Sequence, residues 1–96
     1  MAQGRGQLTQ RIKDRSLAMM GREIDTKELR LMAYVQYVMC NEQRLDPNKI
    51  SPEERKILSL WHEAGYMEGG ASGMTIIREF WDILCEMVFL GYVDID

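Results

Sequence analysis

The sequence predicts a small all-α domain, about four helices in a compact orthogonal bundle, with a minimal two-stranded β-ribbon pairing residues 66–68 with 92–95. Three observations point there. Four stretches carry apolar residues at helical spacing, two of these open on N-capping signatures, and Gly21, Gly65 and Gly91 stand where three of them should stop. Ninety-six residues, 46% apolar and 28% charged, allow one hydrophobic core and no second domain. The expected layout is a disordered tail over 1–6 and a single helical domain over 7–96.

In the first stretch, residues 7–20, Leu8, Ile12 and Met19 share a face and leave Arg11, Lys13, Asp14 and Arg15 outside. Asp25 with Glu28 three positions later reads as an N-cap and its capping partner, opening a helix that runs to about residue 41 or 44. This second helix is apolar nearly all round, because between Leu31 and Cys40 only Gln36 is polar. A helix without a polar face is ordinarily buried on every side. A chain this short should leave part of it for a second subunit, so Leu31, Tyr34, Val35, Val38 and Met39 are the expected homodimer interface.

Ser51-Pro52-Glu53-Glu54 is the sharpest local signal. Serine caps, proline occupies the first helical position where its missing N–H costs nothing, and Glu54 closes the capping box. The helix so opened should turn Ile57, Leu58, Trp61 and Ala64 inward and end at Gly65, with Tyr66 placed for the hydrophobic contact of a Schellman cap. Residues 68–73 read as a flexible glycine-rich loop. Thr75 is then a candidate cap for a fourth helix over 76–90, with Ile77, Phe80, Trp81, Leu84 and Val88 inward. Gly91-Tyr92 repeats Gly65-Tyr66 at an offset of 26 residues, and this echo is what suggests the ribbon.

Composition narrows the function. The longest apolar run is about five residues, where a membrane helix needs about 20. The first nine residues lack the apolar centre of a signal peptide, so a cytoplasmic location is expected. Cys40 and Cys85 have no CxxC spacing and read as two free, buried thiols. The net charge of −3 divides unevenly: residues 1–30 hold seven bases against four acids, and residues 31–96 hold five against eleven. Eight methionines against two phenylalanines describe a soft core or an adaptable contact surface.

No catalytic, cofactor or metal site is expected. His62, the one histidine, has no nucleophile beside it in sequence and suits a half-exposed packing position. Glu79, Asp82 and Glu86 share a helical face, yet a cation site of this kind recruits histidines from facing helices. The segment 69–75 has the glycines of a phosphate loop but not its lysine, and Glu68 opposes an anion.

The segment Leu90-Gly91-Tyr92-Val93-Asp94-Ile95 resembles the end of a recognition helix leading into the first wing strand of a winged-helix domain. That resemblance implies a DNA-binding transcriptional regulator. It departs from the pattern in a nine-residue connection over 66–74 where a turn of about three or four is usual. The helix that would read DNA also offers Arg78 alone among acids, which leaves contact to Arg11, Lys13 and Arg15 of the basic arm. The favoured expectation is therefore a non-enzymatic interaction or regulatory domain, of the kind small bacterial and phage chains supply. Its partners would be itself and a further protein, with nucleic acid as the alternative and no membrane.

Overall fold

In the computed structural model, which describes residues 8–41, 47–70 and 73–93, the first three α-helices each begin where the sequence supplies a side-chain acceptor for the N–H groups of the first turn. Thr9 Oγ1 accepts from the Ile12 N–H at 3.2 Å and opens α1 (Gln10–Met20). Gly21 ends it at φ 77°, a left-handed conformation that only glycine adopts freely. Asp25 Oδ1 accepts from the Glu28 N–H at 2.8 Å and opens α2 (Thr26–Cys40). After a short 3-10 turn at Pro47–Lys49 comes α3 (Pro52–Glu63). The Ser51–Glu54 capping box is formed in both directions, at 3.2 and 2.9 Å.

The end of α3 is a Schellman motif. The Tyr66 N–H donates to the Trp61 carbonyl and the Gly65 N–H to that of His62, with Gly65 at φ 78°. The chain then enters β1 (Met67–Gly70), which pairs antiparallel with β2 (Gly73–Ile76) and places Met67 opposite Ile76. The Ile77 N–H donates to the Tyr66 carbonyl and closes the base of this hairpin before α4 (Arg78–Tyr92) begins. α4 packs against α2 and α1, while α3 packs against α2 and β1. Ile12, Leu29, Leu31, Met32, Val35, Trp61, Phe80, Leu84 and Met87 have no exposed surface and form the core between them.

The bundle with its minimal ribbon is the predicted class, but the ribbon's second strand is Gly73–Ile76, not residues 92–95. Tyr92 is helical and residues 94–96 lie outside the described residues, as does the tail over 1–6. Gly91 is not a stop. It sits inside α4 against α2, where an added Cβ would lie 3.0 Å from Leu29 Cδ2 and 3.5 Å from Ile12 Cδ1. Its missing side chain serves close approach, so the echo with Gly65 is one of sequence only. Thr75 lies in β2 and caps nothing, and Ile77 opens α4 with no side-chain hydrogen bond. The segment expected to be a flexible loop, 68–73, holds most of β1 and the first residue of β2, with Gly69 at φ 83° in β1.

Two inward assignments also fail. Ala64 at the end of α3 is exposed, and Ile77 keeps 39% of its surface in solvent. The more telling correction concerns α2. Glu28, Leu29, Leu31, Met32, Val35 and Val38 are all buried by the chain itself, against α3 and α4. The outer side shows Arg30, Tyr37 and Cys40 to solvent. The chain thus buries one side of this largely apolar helix and leaves Tyr37 56% exposed on the other.

Candidate functional site on helices α1 and α4

The most elaborate polar constellation is spent on the fold. Glu28 is 4% exposed and carries a carboxylate into the core. Arg22, from the α1–α2 connection, meets it with both terminal nitrogens, Nη1 to Oε1 at 2.6 Å and Nη2 to Oε2 at 2.7 Å. Trp61 Nε1 donates to the same Oε2 at 2.8 Å. The hydrogen bond that Arg22 donates to Glu28 raises its guanidinium above the ordinary value against the opposing effect of its partial burial. Tyr66 stacks on Phe80, rings 4.5 Å apart and 2° from parallel, and Trp61 meets the same Phe80 ring tilted by 60° at 4.9 Å. Nearby, buried Ser16 donates to the Lys13 carbonyl and accepts from the Ile24 N–H at 3.2 Å, pinning the connection again. Among the described residues no buried side-chain nitrogen or oxygen lacks a partner.

The surface between α1 and α4 is of a different kind. An open groove of about 390 Å³ is lined by Arg11, Asp14, Arg15, Glu86, Phe89 and Leu90. Arg15 spans it: Nε donates to Glu86 Oε2 at 2.6 Å and Nη2 to Oε1 at 3.2 Å. That hydrogen bond, and after it the charge of Glu86, raises the Arg15 guanidinium above its ordinary value. Phe89 is 49% exposed in the groove, and Val93, the residue that caps the end of α4, is 67% exposed. Two bases and two acids line the groove, so its ionic edge is neutral although the chain carries −3.

Of the residues expected to form a dimer interface, Leu31, Val35 and Val38 are inside the core, while Tyr34 and Met39 are half-buried against it. Of the basic residues expected to touch nucleic acid, Arg11 and Arg15 line the groove and Lys13 is half-buried. Glu79, Asp82 and Glu86 do not act together: Asp82 lies 3.8 Å from Arg78, and Glu86 is held by Arg15. Among the described residues no group of three His, Cys, Asp or Glu side chains could hold a metal ion. His62 is exposed on α3, Cys40 is an exposed free thiol, and Cys85 is a half-buried one. No helix of the described residues is long and apolar enough to cross a membrane.

Phe89 and Val93 were open to discovery from the sequence. Phe89 is nine residues from Phe80, which at about 100° per residue puts it on the opposite side of α4 from the buried stripe. A phenylalanine and a valine four apart on the polar side of an amphipathic helix are an apolar patch in the making. Comparison with known proteins finds no family model that matches this chain, and no curated protein or solved structure with significant similarity to it.

Proposed function

We propose that this chain is a small non-enzymatic interaction domain, an accessory or regulatory protein of the cytoplasm that docks a protein partner on α4. The observation that carries it is the exposure of Phe89 in the α1–α4 groove and of Val93 four residues on, while the other large side chains of α4 are buried or half-buried. Interface centres favour aromatic anchors with a polar rim, and Arg11, Asp14, Arg15 and Glu86 supply that rim. The free thiols of Cys40 and Cys85 suit a reducing compartment. The test is affinity capture from the native host with wild-type bait and with Phe89→Asp/Val93→Asp bait. The expected result is a protein recovered by the first and lost from the second; identical recoveries would remove α4 as the docking face.

One observation favours a second reading. α3 passes through its Schellman cap directly into a hairpin, the helix-then-wing order of a winged-helix domain, placed one helix earlier than the sequence resemblance suggested. The charges run against it. Around the start of α3, Lys27, Arg30 and Lys56 alternate with Asp25, Glu53 and Glu54, and Lys27 lies 3.4 Å from Glu53. The backbone N–H of Glu53 and then the Lys27 ammonium hold the Glu53 carboxyl below its ordinary value, and a carboxylate at the start of α3, like any at neutral pH, repels phosphate. Fluorescence anisotropy with duplex DNA should show no binding at about 50 mM salt. Binding that falls steeply by about 200 mM, and that disappears on changing Arg11, Lys13 and Arg15 to alanine, would establish the nucleic-acid reading instead.

A further inference from the structure

Whatever docks at Phe89, we infer that α1 is a strap, hinged at Gly21, that lifts off α4 as one unit while α2, α3, the hairpin and α4 stay folded. The division of burial points there. Of the eleven residues of α1, Ile12 and Ser16 are the buried ones, so Ile12 is its one buried apolar side chain. Met19 and Met20 add partial cover. By contrast α2 and α4 each bury a full apolar stripe. α3 also buries a single residue, but that residue is Trp61, which meets the Phe80 ring and donates to Glu28 at 2.8 Å. An element with few buried apolar contacts opens at lower free energy than the core it lies on.

The hinge is equally well defined. Gly21 is exposed at φ 77°, and nothing lies within 4 Å of where its Cβ would stand, so rotation there meets no neighbour. Beyond it the chain is fixed to the body: Ile24 is 2% exposed, and Arg22 forks onto Glu28. Those contacts lie on the body side of Gly21 and survive the opening. On the strap side, Ile12 Cδ1 reaches within 3.5 Å of where a Gly91 Cβ would stand. Ser16 Oγ accepts from the Ile24 N–H at 3.2 Å, and Arg15 pairs with Glu86 at 2.6 Å. The ion pair is on the surface, where salt screens it and its contribution is small. Lifting the strap uncovers the Gly91 side of α4, releases Glu86, and removes the wall that Arg11, Asp14 and Arg15 give the groove. The groove exists only in the closed form. A ligand of the groove would therefore hold the strap shut, and a ligand of the uncovered side would hold it open.

The experiment is native-state hydrogen exchange of the full chain, read amide by amide by NMR. Asp14, Ser16, Ala18 and Met20 should share one protection value, at least about tenfold below those of Val35 and Leu84. Trp61→Phe separates a strap from a uniformly weak fold. The contacts it loses are present in both the closed and the strap-open forms. It should speed exchange at Leu84 by about fivefold or more and leave the α1 amides at their wild-type rates. Ile12→Val, which trims the one buried apolar anchor, should speed exchange throughout α1 by about 2–12-fold. Amides of α1 as well protected as Leu84, or sped by Trp61→Phe in the same proportion as Leu84, overturn the strap. So do α1 rates that ignore Ile12→Val, and protection that falls away residue by residue toward Gln10, the pattern of an end that frays. No partner enters the measurement, so its outcome is separate from that of affinity capture through Phe89.

Discussion

Trp61→Ala is expected to lower the unfolding free energy by about 4–5 kcal/mol, the upper end for deleting a buried aromatic side chain. Trp61 has no exposed surface and lies against Phe80, so its removal opens a cavity where α3 meets α4. It also takes from Glu28 Oε2 the indole donor that lies 2.8 Å away. The two losses can be separated. Trp61→Phe keeps most of the packing and gives up the donor, at an expected cost of about 1–3 kcal/mol. Urea unfolding followed by Trp81 emission reads both variants, since Trp81 is then the one remaining indole. An alanine variant that loses less than about 1.5 kcal/mol would show that this core closes over the space, contrary to expectation.

Arg22→Ala should cost about 3 kcal/mol, although Arg22 is itself 41% exposed in its side chain. The cost arises at the other end of the pair. Glu28 stays 5% exposed in its side chain, and without the guanidinium fork it holds its charge on one indole N–H. Arg22→Lys restores the charge without the paired geometry and should recover only part of the loss. In Arg22→Ala/Glu28→Gln the buried group is neutral, and the double variant should be more stable than Arg22→Ala alone. Equal stabilities for these two proteins would mean that the carboxylate charge is not what Arg22 offsets.

How legible all this was depended on whether a signal was local. The Asp25 cap, the Ser51–Glu54 box, and the Gly21 and Gly65 stops are fixed by residues within a turn of each other, and each forms as the sequence indicates. Gly91 shows where that logic ends. A glycine before a tyrosine reads alike at Gly65 and Gly91, but the second is chosen by Leu29, 62 residues away and invisible to local pattern. Glu28 is similar: three residues after the cap it looked like a capping partner, yet its carboxylate turns inward to Arg22 and to Trp61, 33 residues on. The strand pairing was misplaced because a hairpin between Glu68 and Thr75 is masked by three glycines that suggest a loop. On α4, attention to the inward stripe hid Phe89 and Val93, whose message lay in being on the wrong side.

The seating of Gly91 has a consequence for how this chain can change over generations. With Leu29 Cδ2 3.0 Å from where a Cβ would stand, position 91 has little allowance for size, and an added methyl group must be accommodated by a shift of the Leu29 side chain on α2. The opposite side of the same helix, from Arg78 through Asp82 to Phe89 and Val93, is exposed. The same helix thus holds a closely packed position two residues away from an exposed one. Partner preference can drift at Phe89 and Val93 without disturbing the core, so binding and folding are open to selection one at a time.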